Sequence, residues 1–365
     1  MHDRTRPALR YPRSLFRLGW LGVLALAAPA CQSPERDHPV CASGIGLAWE
    51  KLELGGSAPA ARLDGALASD DEGHRVFLFG GRTATEFLND LWVLDLDRKV
   101  WTEIRASEAP SPRSGHSLSY DARRKRLILF GGYVADSFGK AQFHKELWTY
   151  SPEEGWSRKF FKEGPAGRAW HAAAVGPEDL ILFGGYAPSP LYHQNDLWAL
   201  DLESLEFRRL ATDGGPRMTG RAGLLLSPSA RDIWFAGRDG IPQPQRAGYW
   251  QLVVERDRWS FITRKQMDPP RNFDLALADP REGFLVLLRG PQEERHDDWK
   301  IWTFQPHHEC FGSGGSADGA WAFQGIACTT EPGRPGSFVC HGGARAERLS
   351  AETWRLQVLG FGEEP

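Results

Sequence analysis

The chain repeats itself, and the repeat constrains its fold more than any other feature. Six tryptophans each follow a short polar loop: Trp92, Trp148, Trp198, Trp250, Trp302 and Trp354, at gaps of 56, 50, 52, 52 and 52 residues. A second marker is the glycine that closes an apolar run: Gly81, Gly132, Gly185, Gly237, Gly290 and Gly343, at gaps of 51, 53, 52, 53 and 53. Two independent series therefore give six copies of one unit.

Within one unit the texture is that of four short strands. In the first copy, residues 63–69 are short and apolar. Val76-Phe77-Leu78-Phe79-Gly80-Gly81 is a continuous apolar run, the pattern of a strand buried on both faces. Leu91-Trp92-Val93-Leu94-Asp95-Leu96 follows an Asn-Asp turn, and Val100-Trp101-Thr102-Glu103-Ile104 alternates. The 40 glycines and 25 prolines, spread without low complexity, supply the turns between many short strands. A four-stranded sheet that is apolar on both faces cannot bury them alone, but six such sheets stacked around an axis can. The tryptophans supply area between sheets.

This pattern resembles the kelch propeller family. Leu127-Ile128-Leu129-Phe130-Gly131-Gly132 and Leu180-Ile181-Leu182-Phe183-Gly184-Gly185 match its second strand. Asn89-Asp90-Leu91-Trp92 and Asn195-Asp196-Leu197-Trp198 match its third, and Arg113-Ser114-Gly115-His116 the opening of its first. Repeats four to six depart from it: Ala236-Gly237 and Arg289-Gly290 replace the glycine pair, and no outer strand is legible in the fifth around 307–312. The expectation is an all-β, six-bladed kelch-type propeller over residues 45–360, with four antiparallel strands per blade. The last repeat offers only three strands, near 320–328, 337–341 and 352–358. Ala48-Trp49-Glu50-Lys51-Leu52-Glu53-Leu54 compares with the Trp101 strand and supplies the missing fourth. The N-terminal strand is thus expected to close the last blade and remove the exposed sheet edge.

Arg4, Arg6, Arg10, Arg13 and Arg17 precede an apolar run from Leu18 to about Ala30, which meets Ala28-Pro29-Ala30-Cys31. This is the pattern of a secretory signal over residues 1–30. The run is shorter than the roughly 20 residues that span a bilayer. Its end resembles a bacterial lipobox, which implies cleavage before Cys31 and lipidation of that cysteine. Gln32, where some lipoproteins carry Asp, implies an outer-membrane lipoprotein facing periplasm or cell surface, with membrane contact through the lipid alone. Residues 31–44 read as a polar tether and 361–365 as a tail.

Setting Cys31 aside leaves Cys41, Cys310, Cys328 and Cys340, which allow three pairings. Cys328 and Cys340 flank a Pro-Gly-rich turn at equal distances, so Cys328–Cys340 and Cys41–Cys310 are the expected disulfides. No Cys-x-x-Cys pair points to a metal, and no cofactor is expected.

The net charge of −3 argues against a nucleic-acid surface, which needs a concentrated basic excess. Arg62, Arg113, Arg168, Arg221 and Arg271 occupy matching positions at the start of the first strands, which line the channel of a propeller. Such a ring of guanidinium forks suits carboxylates or phosphates, and kelch domains that bind acidic peptides imply that use by resemblance. The competing reading is that these arginines bond neighbouring carbonyls as part of the repeat. The loops between second and third strands carry Tyr133, Phe138, Phe143, Tyr186 and Tyr192, residues suited to stacking on a sugar or anchoring a partner, the competing reading being that they pack the loops themselves. Asp64, Glu86, Asp239 and Asp274 lie near the same mouth, but carboxylates on a soluble protein do not define a catalytic pair. The sequence therefore points to a non-catalytic, monomeric scaffold binding a protein, peptide or glycan, with an anionic ligand favoured. The alternative is a periplasmic kelch enzyme acting on a carbohydrate, epimerase-like or oxidase-like.

Overall fold

The alternation within each second strand decides how the sheets pack. In blade 1, Val76 and Leu78 face one neighbour with Ala327 and Val339, while Phe77 and Phe79 face the other with Leu118 and Leu129. Six such clusters occur among the described residues, one between each pair of adjacent blades. Phe79, Phe130, Phe183 and Phe235 occupy the same register and are fully buried. At about 25 cal/mol per Å2 of apolar surface, each contributes roughly 1.5–3 kcal/mol. The computed structural model describes residues 40–188, 192–210, 215–216, 222–227, 231–239, 246–262, 275–289, 299–306, 310–316, 324–345 and 348–359.

Those residues form a six-bladed β-propeller. Blade 1 runs Ala66–Asp70, Arg75–Arg82, Phe87–Asp95 and Val100–Ile104 from axis to rim. Blade 2 runs Ser117–Asp121, Arg126–Phe130, Leu147–Ser151 and Gly155–Lys159. Blade 3 runs Ala172–Val175, Asp179–Phe183, Leu197–Asp201 and Phe207–Leu210. Blade 4 runs Gly223–Leu226, Asp232–Asp239, Arg246–Val253 and Arg258–Ile262. Blade 5 runs Leu275–Asp279, Phe284–Arg289, Trp299–Gln305 and Cys310–Ser316. Blade 6 takes Ala327–Thr330, Ser337–His341 and Thr353–Leu359, and its outer strand is Val40–Lys51. Each inner strand touches the next around the full circle, blade 6 to blade 1 included.

The closing strand pairs antiparallel with the third strand of blade 6, from Gly46 opposite Leu359 to Lys51 opposite Trp354. Three sequence expectations need correction here. The strand starts at Val40, so residues 40–44 belong to the sheet and not to a tether. Their backbone pairs parallel with the outer strand of blade 5, Val40 opposite Phe311 and Gly46 opposite Gly315. That blade 5 strand contains three glycines, Gly312, Gly314 and Gly315. That strand is also the one the sequence left illegible. Finally, the described inner strand of blade 6 is Ala327–Thr330, which follows a left-handed turn at Gly325 and runs past the expected end at 328.

Cys328 and Cys340 stand directly opposite each other in blade 6 and form a disulfide, with Cα atoms 4.1 Å apart. Cys41 and Cys310 lie on the two neighbouring strands just described, but their side chains, like Cys31, fall outside the described residues.

Deleting residues 45–55 removes the buried Ile45 and Leu47 and bares one edge of blade 6. The truncated protein should lose several kcal/mol and unfold at a markedly lower temperature in a circular-dichroism melt; a melt matching the parent would contradict closure by this strand.

Candidate functional site

Arg62, Arg113 and Arg168 are almost fully buried, and each repeats the same set of bonds. Arg168 donates from Nε to the Ala166 carbonyl, from Nη1 to the Gly184 carbonyl at 2.9 Å, and through both Nη atoms to Asp196 at 2.5 and 2.7 Å. Arg62 does the same with Ala60, Gly80 and Asp90. Arg113 uses Ser111, Gly131 and Glu146. The marker tryptophans complete the set: Trp92 Nε1 donates to Asp90 at 2.6 Å, Trp198 Nε1 to Asp196 at 2.7 Å and Trp148 Nε1 to Glu146 at 3.3 Å. Burial alone would raise the Asp90 and Asp196 carboxyls. The charge and hydrogen bonds of the guanidinium, with the indole N–H, outweigh it and hold both below the ordinary carboxylate range.

The same arginines join blade to blade through their backbones. Gly81 N–H donates to the Arg113 carbonyl at 2.9 Å, Gly132 to Arg168 at 2.8 Å, and Gly343 to Arg62 at 2.8 Å. Both residues of each glycine pair have positive φ, and a Cβ on Gly131 would stand 2.6 Å from the Arg168 carbonyl oxygen. The glycine pair is therefore required by a close approach of two backbones.

One step further in, a run of backbone bonds links blades 6, 1, 2 and 3 at the channel mouth. Asp64 N–H donates to the Gly325 carbonyl, Gly115 N–H to Asp64, and Trp170 N–H to Gly115, at 2.7, 3.0 and 2.7 Å. All four residues, from blades 6, 1, 2 and 3, are left-handed, with φ of 67° at Gly325, 52° at Asp64, 67° at Gly115 and 55° at Trp170. The channel behind this rim holds about 680 Å3 and is walled by small and aliphatic residues such as Ala68, Leu118, Ala173 and Leu277. Asp71, Glu72, Arg123 and Pro177 line it at the opposite end.

Above the rim, aromatic side chains of blades 1–3 form a continuous arc. Ring centroids lie 5.5 Å apart for Phe87 and Tyr133, 4.7 Å for Tyr133 and Trp170, 6.4 Å for Trp170 and Tyr186, and 6.1 Å for Tyr186 and Tyr192. Phe143 stacks on Tyr133 and touches Tyr186. All are half-buried except Tyr192, which is exposed. The loop of blade 2 is itself a hairpin, Tyr133–Ala135 against Ala141–Phe143, whose turn is held by Asp136 and carries Phe138 into solvent.

The structure places Tyr133, Tyr186 and Tyr192 in one series of ring contacts through Trp170. It places Arg62, Arg113 and Arg168 differently from a set of open forks: each is buried and already closed on a carboxylate of its own blade. Arg221 and Arg271 lie outside the described residues. His116 and His171 are buried against Phe79 and Phe130. Sequence reasoning missed the partners Asp90, Glu146 and Asp196, although an acid two residues before each of the first three marker tryptophans was there to be read. It also missed Trp170, which stands where blade 2 has Gly115.

A closed ring of four-stranded blades, with a buried arginine and a glycine pair in each of blades 1–3, defines a kelch-type β-propeller. The KLHDC2/KLHL20/DRC7 Kelch-repeats domain matches residues 41–237, more than half of the chain, and the chain belongs to that family. It is 25% identical over 342 residues to adagio-like protein 2 of Oryza sativa subsp. japonica, covering 86% of this chain and 51% of that protein. It is 34% identical over 148 residues to Kelch domain-containing protein 2 of Bos taurus, covering 40% of this chain and 35% of that protein. With Acyl-CoA-binding domain-containing protein 4 of Arabidopsis thaliana it shares 35% over 144 residues, or 38% and 20% of the two chains. The chain spans about half or less of the length of these relatives.

His341 holds the place before Gly342-Gly343 that phenylalanine holds in blades 1–3. It lies against Trp101 of blade 1, with Nδ1 3.0 Å from Thr353 Oγ1. Burial, aided by the charge of Arg62, pushes its pKa down to about 3. Above about pH 6.5 the ring is neutral folded or unfolded; between there and about pH 3 only the unfolded chain takes up the proton, so stability falls as pH falls. His341→Phe should remove this contribution, at most about 1.4 kcal/mol per pH unit. Urea unfolding at pH 7 and pH 5 should show a smaller loss in the variant than in the parent, and equal losses would contradict the assignment.

Proposed function

We propose that this protein is a non-catalytic binding scaffold that takes its partner on the aromatic loop face of blades 1–3, at the channel mouth. Kelch propellers bind proteins, so a protein or a peptide from one is the foremost candidate class, with a glycan second. The observation that carries the reading is the arc itself: Tyr133, Phe143, Trp170, Tyr186 and Tyr192 form half-exposed contact area across three loops on a rigid ring. Aromatic rings with polar tips concentrate binding energy at such surfaces while losing little side-chain entropy. The carboxylates Asp90, Glu146 and Asp196 are tied to arginines, which favours a surface that holds a ligand over one that exchanges protons with it.

The leader of residues 1–30, ending at Cys31, supports export and lipid anchorage of this scaffold in a bacterial envelope. The anchor would join the propeller through the closing strand in blade 6, whereas the arc belongs to blades 1–3. The site then stays open to a partner.

An array of peptides and glycans probed with the mature protein tests the reading. A ligand captured by the parent should be lost, by about tenfold or more in affinity, when Tyr133 and Tyr186 are both replaced by Ala. Capture indifferent to that double change would place the binding surface elsewhere.

A further inference from the structure

The segment that closes blade 6 also holds its two neighbours. Residues 40–46 pair with the outer strand of blade 5, residues 46–51 with the third strand of blade 6, and Gly55–Gly56 with the outer strand of blade 1. Between them, Leu52 N–H donates to the Thr353 carbonyl and Gly55 N–H to the Lys99 carbonyl, at 2.9 and 2.8 Å. One short stretch of chain therefore clasps three adjacent blades where the ring closes. Its hold on blade 5 is the weaker part. That ladder is parallel, which holds less per residue than an antiparallel one. It also shifts register twice, between Val40 and Ala42 and between Ser43 and Ile45.

Two cysteines flank this ladder. Cys41 is the residue passed over at the first register shift, one place after Val40. Cys310 stands one place before Phe311, the residue opposite Val40. With strands about 4.8 Å apart and about 3.3 Å per residue along each, the shift sets the two backbone positions about 7 Å apart, at the upper end of the Cα separation that a disulfide bridges. Cys328 and Cys340 are bonded to each other, so neither competes for them. The two pairs differ in what they would enclose. Cys328 and Cys340 are 12 residues apart and already opposite one another across a hairpin. Cys41 and Cys310 are 269 residues apart, and the chain between them carries the closing strand and all of blades 1–4 with most of blade 5. A crosslink restrains the unfolded chain more as the loop it closes lengthens.

We propose that Cys41 and Cys310 form a disulfide that latches the closing strand onto blade 5, so that the hold of the clasp depends on oxidation. Two thiols give up two protons and two electrons as the S–S bond forms, and a disulfide of the oxidant, carried by a small molecule or a protein, is reduced to two thiols. The latch is independent of any ligand at the mouth. Non-reducing peptide mapping tests the bond. The purified protein is incubated with oxidised glutathione, denatured, and its free thiols capped with N-ethylmaleimide. The peptides that hold Cys41 and Cys310 should then appear as one crosslinked mass that separates on reduction. A capped Cys41 or Cys310, or a bond from either to Cys31, Cys328, Cys340 or glutathione, would overturn the pairing. Thermal melts test the latch: Cys41→Ser and Cys310→Ser should each melt about 5 °C or more below the oxidised parent, with the double variant no lower than the singles. Melting unchanged in the single variants would overturn it. Hydrogen exchange on the parent gives the answer if a variant does not fold. Reduction should speed exchange in residues 40–46 about tenfold or more, and exchange there unmoved by reduction would overturn the latch.

Discussion

Among the described residues one interaction repeats in blades 1–3 and ties each to the blade before it: a buried arginine held between the two. The guanidinium of Arg168 closes on Gly184 and Asp196 within blade 3, while its backbone carbonyl accepts from Gly132 of blade 2. Arg113 and Arg62 repeat both halves, the latter joining blade 6 to blade 1. A buried guanidinium is costly to desolvate, and an ion pair repays that cost only when its geometry is good and its remaining donors are satisfied. Here the Nε and both Nη nitrogens donate to carbonyl or carboxylate oxygens of the same blade. The pair does two things that apolar packing would not: it orients the strand entering each blade, and it fixes the register of neighbouring blades.

That arrangement determines the character of the mouth. Because Arg62, Arg113 and Arg168 are paired inside their blades, the proposed recognition falls to the loops above them. There the aromatic residues lie on three adjacent loops whose stems hydrogen-bond to the same rim, as Tyr133 does with Ser114 and Tyr186 with Ala169. A surface so mounted loses little freedom on binding. The blade 6 closure serves the same end. It covers the edge of the third strand of blade 6, at the point where the chain meets itself.

Much of this was legible in the sequence, for physical reasons. The glycine pairs and tryptophans recur because each blade solves one packing problem, so the blade number followed from counting. The closing strand was legible because Trp49 repeats the place of Trp101 in blade 1. Its start was not, since pairing of residues 40–44 with the outer strand of blade 5 depends on a glycine-rich partner with no period of its own. The arginines were visible, but their burial was not: position in a repeat does not say whether a fork points to solvent or to an acid 28 or 33 residues on. Trp170 was hidden for a related reason. Its place beside Gly115 comes with a left-handed φ, which the sequence shows only where glycine marks it.

The central claim is that the arginine–carboxylate pair holds the ring, and a double-mutant cycle on Arg168 and Asp196 tests it most directly. Arg168→Met and Asp196→Leu should each cost about 3–5 kcal/mol in denaturant unfolding, because each leaves one buried charge without its partner. The double variant should be no less stable than the weaker single, giving a coupling energy above about 2 kcal/mol. Losses that simply add, to within about 0.5 kcal/mol, would mean that the two residues act separately and that the ring is held by its apolar faces alone.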